Sequence, residues 1–229
     1  MYITAIIVAA GKGKRFKSDI SKPLVKLDGR PMLYYSLQVF SRIAAVKNII
    51  VVANRGNKAG IIRLVRAAGF DKVSAIVEGG ARRQDSVRNG LKRICARTDF
   101  ILVHDAARPL ISPALVQSVI RAAASVGAAV AAVPVKATIK ESRQDRSQRP
   151  AVARTLDRSK LWEVQTPQVF RKALLLDAYS RFGDASVTDD ASLVEKNRAP
   201  VAIAPGAYSN IKITTPEDAA IARALLQTR

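Results

Sequence analysis

Short apolar runs alternate along the chain with longer segments in which apolar and polar positions recur at helical spacing. The runs Ile3 to Ala9, Asn48 to Ala53, Val73 to Val77, Phe100 to His104 and Ala128 to Val133 have the length and branched character of buried strands. Pro31 to Ser41, Lys58 to Ala68, Arg83 to Ile94 and Pro113 to Ser125 read as helices. In the third, Val87, Leu91 and Ile94 fall at i, i+4 and i+7, one face of a helix. Ser112-Pro113 and Thr215-Pro216-Glu217-Asp218 each place an N-cap before a proline at the first helical position, and the second adds acids to the first turn. A final helix is announced there.

This alternation predicts βαβ units, hence an α/β fold with a Rossmann-like, mostly parallel twisted sheet and helices on both faces. Residues 1–229 read as one domain without internal repeats. The stretch from Lys136 to Lys160 breaks the rhythm, being rich in Lys, Arg, Gln and Ser and poor in large apolar residues. Taken alone, it reads either as a flexible loop or as an arm ordered against a partner subunit.

Charge changes the picture most. Lysine and arginine total 38 against 18 acidic residues, a net charge of +20 that favours anionic partners without choosing among nucleotides, nucleic acid and acidic membranes. The single cysteine, Cys95, rules out an internal disulfide framework and fits a reducing cytoplasm. The single histidine, His104, removes most zinc-site and histidine-base chemistries and leaves a hard, oxygen-bound metal as the expectation. The apolar amino terminus has its cations after the hydrophobic run, the reverse of a secretory signal. The uncharged stretch Ala122 to Val135 is short for a membrane span and contains Gly127 and Pro134. A cytoplasmic protein without a membrane anchor is expected.

Three constellations carry candidate chemistry. After the first strand, Ala9-Ala10-Gly11-Lys12-Gly13-Lys14-Arg15 crowds cations around two glycines, and Lys22 follows seven residues beyond Arg15. Glycines let the chain turn sharply and bring its amides close to a ligand, a geometry suited to phosphate. The loop lacks the Gly-x-x-x-x-Gly-Lys-Ser/Thr pattern of a P-loop, and Phe16 stands where a dinucleotide fingerprint needs its third glycine. Long cations and amides around a triphosphate stabilise nucleotidyl transfer by electrostatic preorganisation; a solvated basic turn is the bland alternative. Second, Glu78-Gly79-Gly80 opens the helix that holds Arg83 and Ser86, offering free amides and the positive end of a helix dipole, or only an ordinary turn. Third, His104-Asp105-Ala106-Ala107-Arg108-Pro109 stands at the carboxyl end of a strand, where open α/β sheets place ligands. Asp105 there suits a magnesium ion shared with substrate phosphates, and Arg108 suits a second anion.

The glycine loop resembles nucleotidyltransferases that activate small phosphorylated alcohols, although Ser21-Lys22-Pro23-Leu24 departs from the Pro-Lys-Gln often seen in cytidylyltransferases. With His104 to Pro109 added, the resemblance narrows to the 2-C-methyl-D-erythritol 4-phosphate cytidylyltransferase family of the non-mevalonate isoprenoid route. It is carried further by Thr138, Asp157-Arg158, Leu161-Trp162, Thr166-Pro167-Gln168, Thr188-Asp189-Asp190 and Asn210-Ile211-Lys212-Ile213-Thr214, in that order over essentially the whole chain. The resemblance implies attack of the alcohol phosphate on CTP with release of pyrophosphate. It implies Arg15, Lys22, Arg158 and Lys212 as catalytic, with Ala9, Ala10, Gly11, Gly13, Gly80, Arg83, Ser86 and Asp105 at CTP. Arg108, Thr138, Thr166 and Thr188 would join Asp105, Arg158 and Lys212 around the alcohol phosphate, and Asp105 would hold Mg²⁺. Lys212 is read on a strand with Ile211 and Ile213 pointing the other way. The basic stretch 136–160 becomes an arm exchanged within a homodimer, where Thr138 and Arg158 complete the neighbour's pocket.

Bland readings stand beside these: Thr166-Pro167 as a turn, Thr188-Asp189-Asp190 as a helix cap, Trp162 as a core or interface filler. Two rival functions are weighed. A ribitol 5-phosphate cytidylyltransferase would share the loop, the aspartate and the arm. A nucleic-acid-binding module would use the charge, but aromatic residues are only 5% of the chain and the basic residues are dispersed, so stacking platforms are scarce. A bifunctional chain carrying a cyclodiphosphate synthase would need a further domain and a metal-binding histidine.

Overall fold

The computed structural model describes residues 1–11, 16, 21–144 and 147–228; Gly13 and Arg15 of the glycine-rich loop lie outside them. In chain order come β1 (Ile3–Val8), the short β2 (Lys26–Leu27) and β3 (Arg30–Pro31), α1 (Met32–Arg42), β4 (Val46–Ala53) and α2 (Arg55–Ala67). Then follow β5 (Val73–Glu78), α3 (Arg83–Leu91), β6 (Phe100–Asp105), α4 (Pro113–Val126) and β7 (Ala128–Pro134). The remainder holds β8 (Lys140–Gln144), β9 (Pro150–Thr155), β10 (Trp162–Arg171), α5 (Lys172–Phe182), α6 (Ala191–Lys196), β11 (Ala202–Pro205) and α7 (Pro216–Gln227).

Among the described residues the main sheet has seven strands in the order β11-β7-β10-β6-β1-β4-β5. β1 pairs in parallel with β4 and β6, β4 with β5, and β7 with β11. Only β10 runs the other way, bonded to β6 on one side and β7 on the other. The five expected strands and four expected helices all form, with ends moved by a few residues; α3 stops at Leu91, short of Ile94. The expected strand through Lys212 does not form. Residues 211–214 make no ladder, because the Ile213 N–H turns to the Ala107 carbonyl at 2.8 Å and Pro216 soon opens α7.

Period-two alternation along β1 sends Ile3, Ala5 and Ile7 to one face of the sheet and Ile6 to the other. The first face packs on Leu33, Leu37 and Phe40 of α1 and Val116 and Val119 of α4. The second packs on Val87 of α3, Leu175 of α5 and Leu193 and Val194 of α6. Each such side chain, withdrawn from water, contributes about 1.5–3 kcal/mol. A smaller cluster of Leu27, Met32, Leu110, Ile213, Ala219 and Ala222 seats α7 and fixes the segment before it.

The helix starts follow their caps. Ser112 Oγ accepts the Leu115 N–H at 3.2 Å, and Asp218 Oδ2 accepts the Thr215 N–H at 2.9 Å. Asn54 and Asn57 form a reciprocal cap on α2, and their amide groups also reach Ala10 O at 3.1 Å and Ala9 O at 2.9 Å. That second use ties the end of β1 to α2. The 136–160 stretch carries the antiparallel pair β8-β9, separate from the main sheet. Among the described residues no helix is long and apolar enough to cross a membrane.

Candidate active site

β1 and β6 end side by side, with Val8 opposite Asp105, so the loops that follow them share one rim of the sheet. Beside that rim lies a cavity of about 290 Å³ whose wall includes Arg83, Asp105, Arg108, Thr166, Thr188 and Lys212. Five separated segments thus deliver the six anticipated residues, Asp105 and Arg108 sharing one.

Asp105 is the hub. Its Oδ1 accepts from Arg83 Nε at 3.1 Å and its Oδ2 from Lys212 Nζ at 2.6 Å. Burial opposes its ionisation, but the charges of Arg83 and Lys212 outweigh it and hold the carboxyl well below the usual carboxylate range. Arg83 also donates from Nη1 to Asp190 Oδ2 at 2.7 Å, and Tyr179 donates its hydroxyl to Asp190 Oδ1 at 2.5 Å. Burial works against the Arg83 charge, yet the two carboxylates raise its pKa, so it stays cationic. Asp190 itself is 1% exposed, a buried charge held by that one guanidinium and one phenol.

Arg108 is more deeply engaged than its sequence setting suggested. It donates to the carbonyls of Asn210 at 2.7 Å and Val164 at 3.4 Å, and Asn210 in turn bonds Gln165 and the Thr166 carbonyl, both at 3.0 Å. Burial lowers the Arg108 pKa. The buried Nη2 of Arg83 and Nε of Arg108 have no hydrogen-bond partner among the described residues, spare donor capacity in two groups that line the cavity.

The glycine-rich elements meet next to the hub. A Cβ on Gly79 would stand 2.4 Å from the Ala10 Cβ and 2.8 Å from Ser86 Oγ, so glycine is what lets the second loop close on the first. Ser86 is not a spare hydroxyl: its Oγ accepts the Gly80 N–H at 3.1 Å and bonds the Arg82 carbonyl at 3.2 Å, bracing the turn. Among the described residues nothing stands within 4 Å of where a Cβ on Gly11 would be. Lys22 Nζ donates to the Ile213 carbonyl at 2.7 Å, which brings it next to the segment bearing Lys212. Ala9, Ala10, Gly11, Gly80, Ser86 and Lys22 are outside the cavity wall itself.

Thr138 and Arg158 lie away from this cavity. Both are exposed, and Arg158 donates to the Lys136 carbonyl at 2.7 Å near the base of the β8-β9 pair. The Thr166-Pro167 bond, read as a possible turn, is a cis peptide within β10, and Trp162 is 40% exposed instead of filling the core.

Half of the wall was not anticipated: Val164, Gln165 and Gln168 of β10, and Asp189, Ser192 and Glu195 around α6. Gln168 donates to Asp189 Oδ2 at 2.7 Å and accepts the Ala191 N–H, while Asp189 Oδ1 accepts from Ser192. The quoted runs Thr166-Pro167-Gln168 and Thr188-Asp189-Asp190 contained two of these residues, and the amide side chains of Gln165 and Gln168 beside Val164, Val169 and Phe170 were the available signal.

The chain matches, over residues 3–228, the family described as IspD, 2-C-methyl-D-erythritol 4-phosphate cytidylyltransferase. It is 43% identical over 229 residues to the 2-C-methyl-D-erythritol 4-phosphate cytidylyltransferase of Alkaliphilus oremlandii, covering 99% of this chain and 95% of that protein. It is 45% identical over 225 residues to the protein so named from Dehalococcoides mccartyi, covering 98% and 96%. The crystal structure of 4-diphosphocytidyl-2C-methyl-D-erythritol synthase from Anaerococcus prevotii superposes with a TM-score of 0.83 at 32% identity, covering 99% of this chain and 98% of that one. Fold, site and likeness converge: the chain belongs to the 2-C-methyl-D-erythritol 4-phosphate cytidylyltransferase family.

Proposed function

We propose that this protein transfers the cytidylyl group of CTP to 2-C-methyl-D-erythritol 4-phosphate, giving 4-diphosphocytidyl-2-C-methyl-D-erythritol and pyrophosphate. The observation that carries the reading is the Arg83–Asp105–Lys212 cluster at the sheet rim, in a chain whose relatives bear that activity in their names. A phosphate oxygen of the alcohol phosphate forms a bond to the α-phosphorus of CTP. The bond from that phosphorus to the bridging oxygen breaks in line, and pyrophosphate leaves with the electron pair. The nucleophile is already an anion, so no side chain has to remove a proton. Orientation and charge neutralisation supply the rate, which agrees with a chain whose one histidine is buried.

In this reading Ala9, Ala10, Gly11, Gly13, Gly80, Arg83 and Ser86 hold CTP, and Arg15 and Lys22 neutralise charge on the triphosphate. Arg108, Thr166, Thr188 and Lys212 receive the alcohol phosphate. Thr138 and Arg158 reach the cavity of a second copy through the 136–160 arm. Exposed Val152 on β9 and Trp162 and Val164 on β10 support a homodimer formed there.

Among the described residues no group of three or more His, Cys, Asp or Glu side chains is arranged to hold a metal. The Asp105 carboxylate, at a cavity that also bears Arg83, Arg108 and Lys212, still fits a magnesium ion that takes its other ligands from phosphates and water. Bound magnesium would offset charge on the triphosphate. Cys95 as the chain's one cysteine supports a cytoplasmic setting.

The deciding experiment measures pyrophosphate release by purified protein with CTP, magnesium and either 2-C-methyl-D-erythritol 4-phosphate or ribitol 5-phosphate. Turnover with the first and little with the second is expected. Preference for ribitol 5-phosphate, or no release with either, defeats the assignment.

A further inference from the structure

His104 is the one histidine of the chain, is 0% exposed, and has no part in the reaction as drawn. Its ring stands among polar groups. Nδ1 lies 3.1 Å from Thr166 Oγ1, and Nε2 lies 3.3 Å from both the Arg108 carbonyl oxygen and Ser36 Oγ. Phe40 packs edge-on against the ring, with centroids 5.0 Å apart.

For a neutral ring these contacts set the direction of the chain of bonds from Asp105 to Arg108. A carbonyl oxygen accepts and never donates, so Nε2 must carry the hydrogen that points to Arg108 O, with Ser36 Oγ sharing it. In the neutral ring Nδ1 is then a bare acceptor, and the Thr166 hydroxyl gives its proton to it. That leaves the lone pairs of Thr166 Oγ1 for the Asp105 N–H, which donates to it at 3.1 Å. The bonds run one way, from the Asp105 amide through Thr166 and His104 to the Arg108 carbonyl. Neither end can reverse, because an amide only donates and a carbonyl only accepts. The relay uses the neutral ring, which suits an enclosed imidazole whose nitrogens face two hydroxyls and a carbonyl.

Both ends of the relay belong to the cavity. Asp105 carries the carboxylate between Arg83 and Lys212, and the Arg108 N–H closes the intervening turn onto the Asp105 carbonyl at 2.9 Å. We infer that His104 is a positioning residue: held as the Nε2–H tautomer, it orients the Thr166 hydroxyl and ties both ends of the Asp105–Arg108 turn to β10. The inference rests on the reading of the cavity given under the proposed function. An apolar side chain in its place, at a position 0% exposed, would take their partner from the Thr166 proton and the Arg108 carbonyl.

Two measurements test it. With one histidine, tag-free ¹⁵N-labelled wild-type protein gives a single ring pattern in a long-range ¹H–¹⁵N correlation. At pH 7 and again at pH 5 it should show a pyridine-type δ1 and a pyrrole-type ε2 nitrogen. A protonated ring, or hydrogen on Nδ1, overturns the inference without any variant having to fold. In kinetics, His104→Leu should lower kcat by about 100-fold, the scale of an ångström-sized misplacement, with KM for CTP little changed. His104→Asn, whose side-chain oxygen stands near the Nδ1 position, should recover much of the loss. In a Thr166→Val background Leu and Asn should behave alike, since the hydroxyl they differ over is gone. Equal losses for Leu and Asn in the wild-type background, or penalties that simply multiply with Thr166→Val, would show that the ring only fills space. An inactive wild-type protein with the expected ring pattern would sink the reaction and leave the relay standing.

Discussion

Asp105 and Lys212, 107 positions apart in the chain, meet at 2.6 Å, Oδ2 to Nζ. The lysine arrives on an irregular segment held by Ile213, which is buried under α7, while the aspartate arrives on the end of a central parallel strand. One change at either partner therefore tests the site without touching the core. Lys212→Met should cut kcat by about 100-fold, comparable with losing one fixed donor to a developing charge. Pyrophosphate release at saturating CTP reads this directly, and a turnover number within a few-fold of wild type would remove Lys212 from the chemistry.

The buried charge of Asp190 gives a stability prediction. Arg83→Gln removes the guanidinium and leaves that carboxylate, among the described residues, to the Tyr179 hydroxyl, and breaking a buried pair from one side costs about 3–5 kcal/mol. Urea unfolding should show the loss. Adding Asp190→Asn should return part of it, because the unpaired charge is then gone.

The buried ring of His104 gives a pH prediction. Its folded pKa, about 3, lies below the ordinary value of about 6.5, so the unfolded chain takes up a proton that the folded one refuses. The stabilisation is complete above about pH 6.5 and declines as pH falls toward 3, at about 1.4 kcal/mol per pH unit from this one group. Arg83, Arg108 and Asp105, the charged neighbours that act on the ring, hold their charges across this window. Denaturation curves between pH 7 and pH 4.5 should lose about one proton of dependence in His104→Asn, and an unchanged slope would contradict it.

The proposed exchange of arms has a test that needs no structure. Arg158→Ala and Lys212→Ala should each be nearly inactive alone. Mixed and allowed to exchange subunits, they should regain roughly a quarter of the wild-type activity, since half of the symmetric dimers then hold one intact site. No recovery after verified exchange would place Arg158 in its own chain's site or outside catalysis.

The parallel half of the sheet was legible because strands buried on both faces read as unbroken apolar runs, as in Ile49 to Ala53. The strand β10 was not, because Glu163, Gln165, Pro167 and Gln168 interrupt its pattern. Its pairing with β7 breaks between Val164 and Gln168, so Pro167 sits where no ladder bond to β7 is lost, and Gln165 and Gln168 are buried because they bond Asn210 and Asp189. α6, with six residues, is too short to show a period, and β11 is four residues long. Asp105 and Arg108 stood out from strand-end position alone. Thr166, Thr188 and Lys212 were reachable only through the order of quoted motifs, since nothing local told that β10, the α6 entry and residue 212 converge on one wall.

The antiparallel insertion of β10 also bears on how the polypeptide is born. As it leaves the ribosome, β1, β4, β5 and β6 can associate, but β7 has no neighbour in the sheet until β10 and β11 are made. Its backbone groups wait for a later stretch to thread between two edges already synthesised. The wall formed by β10, the entry to α6 and residue 212 is thus made well after the strand ends it faces, and a nascent chain halted before residue 162 would carry Arg83, Asp105 and Arg108 with no opposite side to their cavity.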